Sequence, residues 1–221
     1  MDKPDFEKWL TAFADKLAVA FGPRLTFFGL QGSYGRGEQT PESDIDLVVI
    51  LDEADFGDLR TYRRIIDEDV NADKLCGFVA GTAELVAWDK PDLLSLFLDT
   101  RPVLGSLGFL AGAFSADDIR RAVLSGACGI YHAAAHNFLH ARSPEALSGL
   151  YKAARFVIRA KHYRETGEYV PSMRALAEKA AEEDRCILSI CETRRSGDIG
   201  GDFDALSEIL FVWAGKLIRD I

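Results

Sequence analysis

The spacing of hydrophobic residues predicts short strands among helices in the first half of the chain and only helices in the second half. Apolar residues recur at intervals of three or four over residues 4–21, which predicts an amphipathic helix ending at Gly22-Pro23. Shorter apolar runs predict strands. The predicted strands cover 25–30, 44–51 and 75–80, with a short edge strand at 102–104, and the predicted helices between them cover 56–70 and 83–98.

The second half is rich in alanine and arginine and has longer segments with helical periodicity. Helices are predicted at about 116–140, 144–166, 171–180, 181–193 and 203–219, with a loop at 193–203. Ser115 is a predicted N-cap that follows a loop at 112–114. We therefore predict an α+β fold with two domains, residues 1–112 with a mixed sheet and flanking helices, and residues 113–221 as an all-α helical bundle.

Composition narrows the functional classes. The chain has 221 residues, a net charge of −9 at pH 7 and 48% hydrophobic residues, values typical of a soluble globular protein. Its longest aliphatic run, 47–51, is far shorter than a membrane span, and its N-terminus lacks a signal-peptide pattern. Its four scattered cysteines favour reduced thiols. These features predict a cytoplasmic protein without a membrane partner, and the acidic charge argues against a nucleic-acid partner.

The negative charge is concentrated in the first half. Residues 1–114 hold 20 acidic and 11 basic side chains, whereas residues 115–221 hold 15 of each. Two of the acids, Asp44 and Asp46, open a strongly apolar predicted strand, where alternation directs both to the same side. Two adjacent carboxylates repel each other unless a cation lies between them, and Mg²⁺ prefers such oxygen ligands.

A Gly-Ser turn precedes this acidic pair by about eleven residues. Gly32 permits close backbone approach, and the Gly32 and Ser33 amides with the Ser33 hydroxyl can donate to a phosphate oxygen. Together the turn and the carboxylates suit a complex of Mg²⁺ with a nucleoside triphosphate.

The segment Gly32-Ser33-Tyr34-Gly35-Arg36-Gly37, followed by Ser43-Asp44-Ile45-Asp46-Leu47, resembles the GS…(S)D-x-D signature of the polymerase-β-like nucleotidyltransferase superfamily, especially its minimal and antibiotic-modifying bacterial members. The resemblance covers about residues 20–110. It implies transfer of a nucleoside monophosphate from a nucleoside triphosphate to a hydroxyl, with Gly32 and Ser33 on phosphate and Asp44 and Asp46 on Mg²⁺. Arg36 is then expected either to bind phosphate or to pair with Glu42.

The chain departs from this family at one position. Active members usually carry a third carboxylate on the strand that corresponds to 75–80, which here reads LCGFVA and contains no acid. Glu84 and Asp73 flank that strand and are candidate replacements, and we take Glu84 as the candidate catalytic acid. An ordinary acid in the first turn of a helix is the alternative interpretation of Glu84.

The predicted helix 144–166 carries a basic stripe, formed by Lys152, Arg155, Arg159 and His162. Lys152 and Arg155 are candidate nucleotide ligands if the stripe faces the acidic half, and a solvated face is the alternative. The segment also resembles the helical substrate-binding domain related to the HEPN family, in which kanamycin-type members place a nucleotide-contacting lysine and a glutamate one turn earlier. Ser148 occupies that earlier position here, and Glu145 lies two turns back.

These observations predict a Mg²⁺-dependent nucleotidyltransferase that moves a nucleoside monophosphate to a hydroxyl of a small molecule or protein. Among nucleotides, AMP transferred from ATP is the favoured prediction. The active site is expected in the cleft between the two domains. Two alternatives stay open. One is a nucleotide-binding or interaction module without strong catalysis, and the other is a HEPN-type ribonuclease or toxin–antitoxin fusion, suggested by Arg155 and His162. An Ala/His-rich helix at 127–140 is a candidate homodimer surface.

Overall fold

The computed structural model describes residues 3–193 and 202–221. Internal contacts divide the chain into two compact units, Met1–Ala113 and Phe114–Ile221. None of the helices among the described residues combines the length and the apolar character that a membrane span requires. All four cysteines are free thiols.

The described residues of the first unit form four strands and five α-helices. In chain order they are α1 (Lys3–Phe21), β1 (Leu25–Leu30), α2 (Gly32–Arg36), β2 (Ile45–Leu51), α3 (Phe56–Asp67), β3 (Leu75–Gly81), α4 (Thr82–Ala87), α5 (Lys90–Asp99) and β4 (Arg101–Gly105), with 3₁₀ turns at Gly22–Arg24 and Gly108–Leu110. The predicted strands and helices are therefore present, and the predicted helical region 83–98 consists of two helices.

The four strands form one mixed sheet in the order β3-β2-β1-β4. β1 runs antiparallel to β2 and β4, whereas β2 and β3 are parallel. Leu30 pairs with Leu47, and the Gln31 amide donates to the Asp46 carbonyl at 2.8 Å. The chain that leaves β1 therefore lies against the first residues of β2.

The two faces of the sheet bury different residues. Ile45, Leu47, Val49 and Leu51 pack on one face with the apolar side of α1 and with Tyr62 of α3. Because side chains alternate along a strand, Asp46 belongs to the opposite face. On that face, Phe78 of β3 packs edge-on against Trp88 at the end of α4.

The second unit is entirely helical in its described residues. It contains α6 (Ala116–His136), a π-helical turn (Asn137–Ala141), α7 (Pro144–Thr166), α8 (Met173–Lys179), α9 (Glu182–Thr193) and α10 (Phe203–Asp220). Ser115 caps α6 as predicted, since its hydroxyl accepts from the Asp118 amide at 3.1 Å. The core holds residues from every one of these α-helices. Most of the predicted loop at 193–203 lies outside the described residues.

Two local structures differ from the sequence prediction. The glycine-rich stretch after β1, predicted as a connection, winds into the single helical turn α2. Gly37, with φ +71°, ends this turn. The predicted helix 116–140 changes at Asn137 into a π-turn, because the Arg142 amide bonds to the Asn137 carbonyl five residues earlier.

Candidate active site

Asp44 and Asp46 lie at the start of β2, as the sequence predicts. Asp44 immediately precedes the strand and is exposed, whereas Asp46 is its second residue and is half-buried. Partial burial raises the pKa of the Asp46 carboxyl above its usual value, and the negative charges of Asp44 and Asp99 raise it further, while Arg36 opposes them. A cation bound at this pair would relieve the repulsion.

Gly32 brings its backbone into contact with this pair. Its φ of +66° lies in the left-handed region, and a Cβ built on it would lie 1.9 Å from the Asp46 Oδ2 atom. Only glycine fits both the conformation and the space. The Gly-Ser turn and the carboxylate therefore lie side by side, as the predicted phosphate and metal site requires.

Arg36 has partners other than the predicted one. Its buried guanidinium forms an ion pair with Asp99 and bonds to Glu38 Oε2 at 3.3 Å. The expected pairing with Glu42 is thus wrong, since Glu42 is exposed and Arg36 is only 2% exposed. Arg36 ties the C-terminal end of α2 to the end of α5, and a buried, paired guanidinium is poorly placed to bind phosphate.

Asp99 is the acid that the sequence analysis missed. It is the last residue of α5, it is buried, and its charge acts on Asp46. No motif marks it in the sequence, because the antiparallel pairing of β4 with β1 is what carries it from residue 99 to the end of β1.

The structure does not bring Glu84 to the carboxylate pair. Asp46 is paired in register with Cys76 at the start of β3, whereas Glu84 follows Gly81, which pairs with Leu51 at the other end. The two ends are five residue steps apart along the strand, a distance of about 16 Å. The Glu84 carboxylate instead folds back over Gly81, where a Cβ would lie 2.2 Å from its Oε2 atom. Glu84 therefore does not lie where a third carboxylate of the Asp44–Asp46 site would be needed, and its predicted catalytic role is corrected.

Asp73 lies nearer to the pair than Glu84. The Ile45 amide donates to the Lys74 carbonyl at 2.8 Å, so the residues before β3 run beside the residues before β2. Asp73 precedes Lys74 and is thus the flanking acid on the same side as Asp44. Among the described residues, however, no three acids, histidines or cysteines are grouped closely enough to hold a metal ion by themselves.

The donor set present fits a magnesium ion that takes further ligands from its substrate. Mg²⁺ is usually held by one or two carboxylates, with water and phosphate oxygens completing its octahedron. Asp44 and Asp46 supply two carboxylates, and burial together with the negative charge of Asp44 raises the pKa of Asp46, an effect that a bound cation would offset. Asp44 and Asp46 are therefore the residues that would hold it.

The predicted basic stripe on α7 is not one continuous surface. Lys152 is exposed, but Arg159 is 2% exposed and donates to the Val170 carbonyl at 3.1 Å and to the Pro171 carbonyl. Arg155 is half-buried, with its guanidinium 4.8 Å from the Phe156 ring centre. Arg159 is thus a structural tie to the segment before α8, and the nucleotide roles of Lys152 and Arg155 stay predictions.

His162 and Glu145 are two further residues of α7 that the sequence marks as candidates. His162 has a side chain that is only 11% exposed and lies 4.0 Å from the Glu168 carboxylate. An imidazole enclosed in this way does not favour the ribonuclease hypothesis. Glu145 is exposed in the first turn of α7.

Comparison with known families agrees with the geometry at β1 and β2. The family model described as nucleotidyltransferase domain matches residues 14–79, which run from α1 to β3 and include the Gly-Ser turn and both aspartates. Residues 14–79 form a nucleotidyltransferase domain. The predicted superfamily and enzyme class are therefore confirmed. The resemblance of the second half to HEPN-related domains stays a prediction.

The fold of the chain also has a counterpart among solved structures. It is similar to a spectinomycin adenyltransferase from Enterococcus faecialis, whose crystal structure contains ATP and spectinomycin, with a TM-score of 0.62 and 15% sequence identity. The match covers 96% of this chain and 98% of that one, so both halves have counterparts. At this identity the similarity establishes the α+β fold alone. No curated protein matches the chain by sequence.

Proposed function

We propose that this nucleotidyltransferase transfers a nucleoside monophosphate, AMP from ATP, to a hydroxyl of a small molecule, with Mg²⁺ held at Asp44 and Asp46. The contact between the Gly32 backbone and the Asp46 carboxylate carries the proposal, because it places a phosphate-binding turn directly beside a metal-binding pair. The solved structure of similar fold supports the same chemistry, since it was obtained with ATP and spectinomycin.

In the proposed reaction the acceptor oxygen attacks the α-phosphorus of ATP. A new phosphorus–oxygen bond forms, the bond to the bridging oxygen of the β-phosphate breaks, and pyrophosphate leaves. Magnesium, when bound, neutralises charge on the phosphates and stabilises the transition state. The negative charges of Asp44 and Asp46 attract the magnesium ion, and the Gly32 and Ser33 amides orient the phosphate chain.

The proton of the acceptor hydroxyl needs a destination. Cys76 occupies the β3 position beside Asp46, and β3 contains no carboxylate. Asp99 is near but already paired with Arg36. Direct transfer of the proton to solvent would make turnover slow, because general-base catalysis typically contributes 10²–10⁴-fold.

This same observation favours a second candidate function, a nucleotide-binding module that turns over very slowly or not at all. Both functions require binding of Mg²⁺–ATP at Asp44 and Asp46, and they differ only in the chemical step.

The test uses the full chain with Mg²⁺ and ATP labelled at the α-phosphate. Binding is measured by equilibrium dialysis, and transfer is measured as labelled product and released pyrophosphate, with spectinomycin and other polyhydroxyl compounds as acceptors. We expect Asp44→Asn and Asp46→Asn to abolish both signals and the exposed Glu68→Gln to change neither.

Two other results are informative. Binding without transfer to any acceptor supports the module, whereas absence of Mg²⁺-dependent ATP binding to the folded wild-type chain overturns both functions.

A further inference from the structure

The second unit contains a cavity that the nucleotidyltransferase chemistry does not use. It has a volume of about 540 Å³ and lies where the end of α6 and its π-turn face the first turns of α10. Pockets for small organic ligands typically measure about 300–1,000 Å³.

The walls of this cavity are apolar, and several of their side chains are unusually open to solvent. Leu139 is 68% exposed and Phe138 is 36% exposed, although both are large hydrophobic residues. The remaining apolar wall is formed by Ala134, Ala135, Ala205 and Phe211. An exposed apolar concavity of this kind favours binding of an apolar body.

The polar lining of the cavity has one sign of charge. Asp202, Asp204 and Glu208 line it, and the described lining residues include no lysine, arginine or histidine. Arg142 lies nearby and pairs with Asp204 at 3.0 Å. The Asp202 carboxylate accepts from two amides at the start of α10, and Glu208 is exposed on the next turn. Glu208 is thus the lining carboxylate for which the described residues show neither an ion pair nor a capping role, and it supplies a local negative charge at the cavity.

A buried hydroxyl adds a second polar feature. Ser207 lines the cavity and is 4% exposed, and within the described part of the chain its Oγ atom has no hydrogen-bond partner. A buried hydroxyl without a hydrogen-bond partner destabilises the folded state, and a polar group on a bound ligand would form the missing hydrogen bond.

The backbone that forms one wall is held in an uncommon conformation. The π-turn ends at Arg142 with φ +47°, which among the described residues is the only positive φ outside glycine. Asn137, buried, fixes the turn by donating to the Ser143 carbonyl at 2.9 Å and accepting from its amide at 3.0 Å. π-turns and left-handed residues of this kind are enriched at functional sites. The turn carries Phe138 and Leu139, the two exposed wall residues.

We propose that this cavity binds a small organic amine with a hydrophobic body, with the ammonium group at Glu208 and the body against Phe138, Leu139 and Phe211. Phe211 adds cation–π attraction for such a ligand, whereas the Phe138 ring already lies 5.6 Å from the Arg142 guanidinium and serves as apolar wall. The inference does not depend on the proposed function, because every lining residue belongs to the second unit and none is at the carboxylate pair.

The test compares three probes with one body and different charges, namely 1-adamantanamine, 1-adamantanol and 1-adamantanecarboxylate. Isothermal titration calorimetry on the full chain should give one-to-one binding of the amine with a dissociation constant on the order of 0.1 mM. The alcohol should bind more weakly and the carboxylate not at all. Amide chemical shifts in ¹H–¹⁵N spectra should change at residues 134–142 and 202–211.

Two variants locate the charge and the cavity. Glu208→Gln should weaken amine binding about threefold, the effect of a partly screened ion pair, and leave the alcohol unchanged. The matched control Glu178→Gln, on exposed α8 surface, should alter neither probe. Ala135→Phe should fill the cavity and abolish binding of both probes, with an unchanged thermal midpoint as the check of folding.

Three results would overturn the proposal. They are equal affinity for amine and alcohol, equal effects of the two glutamine variants, and a wild-type dimer in sedimentation that Ala135→Phe converts to monomer. The last result would make the cavity a subunit interface.

Discussion

The Asp46 carboxylate occupies the space that a side chain at position 32 would need. The Cβ of any other residue there would lie 1.9 Å from Asp46 Oδ2, and the φ of +66° already disfavours a side chain. Because the Asp46 carboxylate can rotate away, a side chain at position 32 would displace that carboxylate more than it would lower the stability of the fold. Glycine at position 32 is therefore needed for the geometry of the proposed metal site.

Gly32→Ala should separate these two effects. We expect a loss of about 1 kcal/mol in the free energy of unfolding, from the positive φ, together with loss of Mg²⁺-dependent ATP binding. Gly37→Ala is the matched control, because its φ is +71° but a Cβ there meets nothing within 4 Å. Urea unfolding should show similar losses for both variants, and equilibrium dialysis should show a binding defect for Gly32→Ala only. Equal binding defects would contradict the role of the contact.

Asp46→Asn should stabilise the protein in the absence of divalent ions. Burial and the Asp44 charge raise the pKa of Asp46 in the folded state, so its ionisation costs folded-state stability as the pH rises above the ordinary carboxyl pKa of about 3.9. The thermal midpoint of the variant should therefore exceed that of the wild type at pH 7 in EDTA, and the difference should shrink toward pH 4.

Magnesium should reverse this order. Added Mg²⁺ should raise the wild-type midpoint and leave that of Asp46→Asn unchanged, because a ligand stabilises only the form that binds it. Differential scanning fluorimetry at both pH values is sufficient. Equal shifts of both proteins with Mg²⁺ would place the ion elsewhere.

A carboxylate introduced at Cys76 should accelerate transfer. Cys76 is exposed and lies beside Asp46 in the β2–β3 register, on the strand where the family usually carries its third acid. A well-placed general base typically contributes 10²–10⁴-fold to a rate. Because an introduced carboxylate is less well positioned, we expect Cys76→Asp to raise the rate of AMP transfer at least tenfold. Cys76→Asn, with the same shape and no charge, should match the wild type. A faster Asn variant would point to loss of the thiol as the cause.

Sequence patterns predicted the elements well and the partners of individual side chains poorly. The strands and the long helices follow from apolar periodicity, and Ser115 follows from its N-cap position, because these signals are local. Asp99 and Glu38 as partners of Arg36 depend on the pairing of β4 with β1 and on the turn after α2, which no local pattern encodes.

Misplaced candidates have the same origin. Glu84 is only three residues beyond β3, but the parallel register of β2 and β3 carries it to the end of the sheet away from Asp46. Arg159 shares a helical stripe with Lys152, yet the chain at Val170 and Pro171 folds over it and covers it. Tertiary packing decided both positions.

Arg159 and Lys152 provide a matched pair of cations on α7. Arg159→Met removes the donors for two carbonyls and should lower the free energy of unfolding by about 2–4 kcal/mol. Lys152→Met, at an exposed position, should stay within about 0.5 kcal/mol of the wild type. If Lys152 contacts nucleotide as predicted, its variant alone should weaken ATP binding without a change in stability. Urea unfolding and equilibrium dialysis measure the two quantities.

The buried pair of Arg36 and Asp99 should show strong coupling. Asp99→Leu leaves the enclosed guanidinium with Glu38 as its remaining partner among the described residues, and we expect a loss of about 3–5 kcal/mol in the free energy of unfolding. The double variant Arg36→Met/Asp99→Leu removes both charges and should lose less than the single variant. A double-mutant cycle by urea unfolding measures the coupling. Additive losses would show that Arg36 and Asp99 act independently and that the tie between α2 and α5 contributes nothing as a pair.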